Sequence, residues 1–273
     1  MTLGLSLLRA LKSHGAHEIF GIPGDFALPL FQQIEESAIL PLVTLSHEPG
    51  LGFAADAAAR MHGGIGVVAV TYGAGALNTV NAVASAYAER SPLVVLAGCP
   101  GAVEAHAGLV LHHQVRHVDS QWRIFQEITC DQVRLSDPAT APADIARVLR
   151  SCREYSQPVL IEVPRDMTLA PMAEVPVLPP SAFSADAVQE CADEWMARIR
   201  AAHRPVLVLD VEVRRFGIED KVAELARRLQ IPVLTTFMGR GLLAGDALRR
   251  GVQLHGTYLG VAGDAETTAL LDE

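Results

Sequence analysis

Basic blocks, closely spaced cysteines and long apolar runs are all missing from this chain of 273 residues. Its four cysteines, Cys99, Cys130, Cys152 and Cys191, form no Cys-x-x-Cys pair and no other zinc spacing. They read as scattered reduced thiols, which places the protein in the cytoplasm. Acidic residues outnumber basic ones by 31 to 22, a net charge of -9, which argues against nucleic acid and anionic membrane as partners. Aromatic residues make up only 5% of the chain, too few for platforms that stack single-stranded bases. No apolar run approaches the roughly 20 residues that cross a bilayer. The first residues, Met1 to Gly15, resemble an amphipathic helix in which Arg9 and Lys12 interrupt any signal-like core.

What the chain does have is core material, with 50% hydrophobic and 19% charged residues. At roughly 150 residues per domain, that suits one large domain plus another. The pattern from Leu3 to Val163 alternates short apolar runs with helical stretches, the signature of a parallel sheet with helices on both faces. A helix over Leu3–His14 leads to a strand His17–Phe20, a sharp turn Gly21-Ile22-Pro23-Gly24-Asp25 and a helix Ala27–Glu36. A buried strand is expected over Ile39–Leu45. Further strands fall at Gly66–Thr71, Pro92–Gly98, Ile128–Leu135 and Pro158–Val163, with helices at Ala76–Glu89, Ser120–Glu127 and Pro142–Tyr155. A Pro-rich connector, Pro164 to Ser184, separates a second unit with strands at Pro205–Leu209 and Ile231–Thr235. Two strands make a marginal sheet, and the alternation stops after a helix, so this second unit is expected to be an incomplete domain.

Four features follow four different strands: Asp25, Glu48, the turn Thr71-Tyr72-Gly73-Ala74-Gly75, and the pair His112-His113. Parallel strands point one way, so these loops share one edge of the sheet, where ligands bind in open α/β folds. Glu48 stands between a strand and a helix that opens with Pro49, a comfortable first-turn residue. It could equally serve only to complement the helix dipole. Asp25 could be an N-cap, and the histidines could be solvated loop residues. Together, carboxylates, imidazoles and a Gly-rich turn on one edge point to acid–base chemistry on a bound cofactor or substrate. A metal centre built from His112 or His113 with His117 is disfavoured, since adjacent histidines project differently and no acidic ligand is near in sequence. The run Gly73-Ala74-Gly75-Ala76-Leu77-Asn78 approaches a dinucleotide fingerprint but lacks its third glycine and the acidic residue for a ribose, which weakens nicotinamide binding.

The stretches Phe20–Asp25 (FGIPGD), Ser46–Arg60 (SHEPGLGFAADAAAR), Thr71–Asn78 (TYGAGALN), Tyr87–Gly98 (YAERSPLVVLAG) and Leu111–Gln114 (LHHQ) resemble the thiamine-diphosphate-dependent 2-keto acid decarboxylases. The branch most alike is the phenylpyruvate/indolepyruvate decarboxylases. The likeness continues through Val206–Asp210 and Thr235–Leu243 (TTFMGRGLL). Asp25 with His112-His113 separates this branch from acetolactate synthases, which share only the glutamate.

The resemblance implies a pyrimidine-binding domain over 1–164, a linker over 165–184, and the first part of a Rossmann-like middle domain over 185–273. It implies that Glu48 hydrogen-bonds the pyrimidine of thiamine diphosphate and promotes formation of the ylid. The ylid would decarboxylate phenylpyruvate or indolepyruvate to the aldehyde. Asp25, His112 and His113 would move protons as carbon dioxide leaves and product forms, while Pro23, Gly24, Thr71, Tyr72 and Gly73 would line the cofactor. The family's Gly-Asp-Gly…Asn segment, which holds Mg2+ and the diphosphate, has no counterpart here. Magnesium is therefore expected in a missing domain, with no metal ligands in this chain. A homodimer or homotetramer is implied, its site shared with the diphosphate-binding domain of another subunit. A split decarboxylase subunit and a non-catalytic remnant that only binds a partner are the alternatives.

Overall fold

The computed structural model describes residues 1–245 and 251–272. They divide into two compact units, Met1–Pro180 and Ser181–Glu273.

Unit 1 is built on six parallel strands: β1 (Ile19–Gly21), β2 (Leu42–Val43), β3 (Gly66–Val70), β4 (Leu93–Cys99), β5 (Asp131–Arg134) and β6 (Val159–Pro164). Their order is β2-β1-β3-β4-β6-β5. Every residue of β3, β4 and β6 is buried, because helices cover both faces and neither side of the pleat meets water. The two faces can be read from alternate residues. Val67, Ala69, Val94 and Leu96 pack with α1 (Leu3–Ser13), α2 (Leu28–Ser37) and α8 (Ala141–Tyr155). Val68, Val70, Val95 and Ala97 pack with α3 (Glu48–His62) and α5 (Val80–Ala88). Each fully buried Leu or Val side chain contributes about 1.5–3 kcal/mol. Gly66 lets α3 lie close to β3: a Cβ there would stand 2.0 Å from the Ala55 carbonyl oxygen.

Three expectations need correction in unit 1. The apolar run before Glu48 is not a buried strand; β2 is two residues long, sits at the sheet edge, and leaves Val43 exposed. The helix expected over Ala76–Glu89 is two helices, α4 (Ala74–Leu77) and α5, parted at Asn78 and Thr79. The start of the Pro-rich connector is part of the unit, since Leu3 N donates to Ala170 O at 2.9 Å, Gly4 N to Thr168 O at 3.0 Å, and Met172 is buried. Two short helices, α6 (Ala102–His106) and α7 (Ser120–Phe125), flank the long loop after β4.

Unit 2 holds helix α9 (Ala185–Ala201), whose N-cap Ser184 accepts from Ala187 N. Three parallel strands follow in the order β7-β8-β9: β7 (Leu207–Leu209), β8 (Val233–Thr235) and β9 (Leu254–Thr257). Among its described residues the unit also holds helices α10 (Glu212–Arg215), α11 (Glu219–Leu229) and α12 (Ala265–Asp272) and a short 3-10 helix, Gly260–Ala262. Two strands were legible; β9 was not, because Leu254-His255-Gly256-Thr257 is polar and pairs through an irregular register at Val233/Leu234. No helix among the described residues is long and apolar enough to cross a membrane.

Candidate active site

The crossover directions create the site. From β1 the chain passes to β2 on one side and then to β3 on the other, so β1 and β3 are neighbours whose loops diverge. Such a switch point leaves a crevice at the carboxyl ends of the strands. The four strands β2, β1, β3 and β4 lie side by side, and each is followed by one of the features singled out in the sequence.

Glu48 is the first residue of α3, after the extended N-cap His47. Its carboxylate Oε2 accepts from the Asn78 side-chain amide at 2.8 Å, and the same nitrogen stands 3.2 Å from His47 Nε2. Oε1 lies 3.9 Å from where a Cβ on Gly75 would be. One carboxylate oxygen is thus held by the protein while the other borders the Gly-rich turn. Asn78 was not singled out as a site residue. It reaches Glu48 because the chain breaks between α4 and α5, a break that helical propensity concealed.

Asp25 is not the cap of α2; that place is taken by Ala27, which makes no side-chain cap bond. Asp25 Oδ1 instead accepts from Phe26 N at 3.0 Å and from the Thr71 hydroxyl at 3.4 Å, linking the β1 and β3 turns. Gly24 permits this approach, since its Cβ would meet Thr71 at 2.6 Å. Pro23 is exposed beside it.

The histidines meet this pair. His113 Nε2 lies 3.9 Å from Asp25 Oδ1, and the His112 and His113 ring centroids are 3.8 Å apart. Adjacent histidines were expected to project apart. His113 has φ 61, however, and this left-handed conformation turns its ring back beside that of His112. Gln114 holds the turn closed, its side chain accepting from Leu111 N at 3.1 Å. One ligand-type atom from each of Asp25, His112 and His113 falls within 4.8 Å of the others. His117 is not in that group. The spread is wider than the roughly 3–3.5 Å between donors that share one ion at about 2.1 Å, and closer to the spacing of groups that exchange a proton with a small molecule.

Tyr72 turns away from the edge. Its ring is buried against Phe26, its hydroxyl donates to Val118 O at 2.7 Å, and burial with the nearby Glu162 charge pushes its pKa up to about 12. Only its backbone can face a cofactor. Gly73, with φ 67 and ψ -116, has a conformation suited to glycine, and a Cβ on it would stand 1.9 Å from His113 O.

Comparison with known proteins gives a consistent likeness. Residues 1–128 match the family described as "Thiamine pyrophosphate enzyme, N-terminal TPP binding domain", and residues 192–273 match "Thiamine pyrophosphate enzyme, central domain". The chain is 60% identical over 273 residues to the indole-3-pyruvate decarboxylase of Azospirillum brasilense, covering 100% of this chain and 49% of that protein. It is 34% identical over 250 residues to a pyruvate decarboxylase of Aspergillus parasiticus, covering 89% of this chain and 43% of the relative. An alpha-keto-acid decarboxylase of Mycobacterium avium is 32% identical over 251 residues, with 89% and 43% covered. The chain spans about half the length of the curated relatives it matches.

Proposed function

The chain belongs to the thiamine pyrophosphate enzymes, and from that premise we propose that it supplies the pyrimidine side of a 2-keto acid decarboxylase site. The substrate is an aromatic 2-keto acid, indolepyruvate or phenylpyruvate, converted without net oxidation to an aldehyde and carbon dioxide. The likeness to an indole-3-pyruvate decarboxylase supports the aromatic choice. The single observation that carries the reading is Glu48, one carboxylate oxygen bonded to Asn78 and the other beside the Gly-rich turn.

The donor set fits the pyrimidine end of thiamine diphosphate. A carboxylate can accept from a protonated ring nitrogen, and the close packing of Gly24 and Gly75 on Thr71 holds the Gly-rich turn beside Glu48. When bound, the cofactor supplies the nucleophilic carbon and the electron sink for loss of carbon dioxide. Glu48 holds the proton relationship at the pyrimidine nitrogen. Asp25, His112 and His113 stand as proton donors and acceptors for the departing product, grouped so that one small molecule could meet all three. Pro23 and Thr71 line the crevice. Mg2+ does not fit the side chains of the described residues. Magnesium needs an oxygen-rich octahedral site, and among the described residues the only group of three ligand-type side chains is Asp25, His112 and His113.

On this reading residues 1–164 bind the pyrimidine with the start of the 165–184 connector packed against them, the rest of the connector links, and 185–273 begin a middle domain. A diphosphate-binding domain of another subunit completes the site in a homodimer or homotetramer, in the cytoplasm. The test is decarboxylation of indolepyruvate and phenylpyruvate with thiamine diphosphate and Mg2+ by the protein assembled with its diphosphate-binding domain, alongside cofactor binding by calorimetry. Glu48→Gln should lower turnover by about two to four orders of magnitude, the range for a lost proton-transfer group. Near-normal turnover in that variant, or an assembled parent protein with neither turnover nor cofactor affinity, would overturn the reading.

A further inference from the structure

The face of the sheet that packs against α3 and α5 carries one buried charge. Glu162 on β6 is 1% exposed and lies two residues beyond Leu160, on the same side of the pleat. A buried carboxylate is tolerated only when its oxygens are bonded, and here each has a partner. Oε2 accepts from Arg134 Nε at 2.6 Å, and Oε1 accepts from Gln121 Nε2 at 2.8 Å. The other end of the same amide, Gln121 Oε1, accepts from Gly73 N at 2.7 Å. Gln121 is 1% exposed. Gly73 is the residue at which a Cβ would strike the His113 carbonyl.

These bonds form one directed line. The ionised carboxylate can only accept, so it fixes which end of the Gln121 amide is the nitrogen. That orientation presents the amide oxygen to Gly73, and the Gly73 peptide supports the turn that carries His113. A neutral or apolar residue at 162 would leave the amide free to flip, and the Gly73 N–H would then face a donor. We infer that Gln121 and Glu162 are positioning residues: through the Gly73 peptide they set where the Thr71–Gly75 turn and the His113 imidazole stand. This deepens the decarboxylase reading and rests on it for the role of His113.

The test exploits the near-identical shape of Gln and Glu. Exchanging them, as Gln121→Glu with Glu162→Gln, rebuilds every bond. The carboxylate then at position 121 would accept from Gly73 N and from the amide at position 162, whose carbonyl would accept from Arg134. Each single change breaks the line: Glu162→Gln removes the group that orients the amide, and Gln121→Glu sets two carboxylates together. NMR of the full chain reads the Gly73 amide proton and the His113 ring, and turnover reads the consequence. Each single variant should move the Gly73 amide out of its hydrogen-bonded position, shift the His113 ring resonances and lower turnover by about tenfold to a hundredfold, the scale of a small misplacement. The exchanged pair should recover both resonances, and turnover to within about threefold.

A role in packing alone predicts little change in any of the three. The inference is overturned if the singles leave Gly73 and His113 unmoved, or if the exchanged pair is no nearer the parent than the singles. Should Glu162→Gln fail to fold, Gln121→Met keeps the Glu162–Arg134 pair and decides the matter through the same resonances. The spectra report on this line whether or not the chain turns over, so failure of the decarboxylase reading would register separately through Glu48→Gln.

Discussion

In unit 1 three of the four interior strands, β3, β4 and β6, bury every residue, whereas in unit 2 the 17-residue helix α9 buries none. The contrast is sharpest between two helices of similar pattern. Helix α8 has apolar residues at Ile145, Val148, Leu149 and Cys152, and all are buried. Helix α9 carries its own apolar stripe at steps of three and four, Val188, Cys191, Trp195 and Ile199, yet Trp195 is 61% exposed and Phe183, just before the helix, 83%. Helical periodicity tells which stripe would be buried. It says nothing about whether a surface is there to receive it.

The largest expected contrast is in thiol chemistry. Cys99 and Cys152 are buried, Cys130 is half-buried with its thiol pushed up to about 12 mainly by burial, and Cys191 on α9 is exposed. Modification needs an accessible thiolate, and the core opens only by global unfolding. Cys191 should therefore react with an aromatic disulfide reagent roughly a thousandfold or more faster than Cys99 and Cys152. Two rapidly reacting thiols, or a fast phase that survives Cys191→Ser, would break the contrast.

A second test compares truncations. Leu96→Ala, at the centre of β4, should cost about 2–5 kcal/mol by the denaturant midpoint, the range for an aliphatic core cavity. Trp195→Ala on α9 should stay within about 0.5 kcal/mol, although it removes the larger side chain. A loss at Trp195 matching that at Leu96 would mean that the α9 stripe is covered in solution.

The smallest effect is a pH dependence confined to unit 1. Burial, and then the Arg153 guanidinium, hold His14 below its ordinary value of 6.5. The unfolded chain thus binds a proton at a pH where the folded chain does not. Stability from this group is complete above about 6.5 and is lost as pH falls below it. His14→Asn should flatten the decline in melting temperature between neutral and mildly acidic pH. An unchanged slope would show that other groups govern it.

The alternation of unit 1 was legible because doubly covered strands read as continuous apolar runs, as in Val67 to Val70 and Leu93 to Ala97. The strand Ile39–Leu45 was misread for the same reason. Its residues are as apolar as those of β4, but the crossover from β1 leaves β2 at the sheet edge. In the candidate site, Asp25 and Glu48 stood out as carboxylates soon after short apolar runs, and the histidines as an adjacent pair in the loop after β4. Asn78, Gln121 and Glu162 did not. Their partners are 30, 48 and 41 positions away in Asn78–Glu48, Gly73–Gln121 and Gln121–Glu162, and no local pattern marks such pairs.

By itself, the sequence determined the layered α/β class, the strand ends where the candidate site residues lie and the motifs that place the chain in its family. Periodicity and turn residues act over a few positions, so they can be read locally. Only the tertiary structure decided which strand is an edge, which amphipathic stripe is covered, how the left-handed His113 turns back to His112, and which distant amide orients each carboxylate. Those outcomes depend on strand order and on single backbone dihedrals, through which residues tens of positions apart are brought within a hydrogen bond.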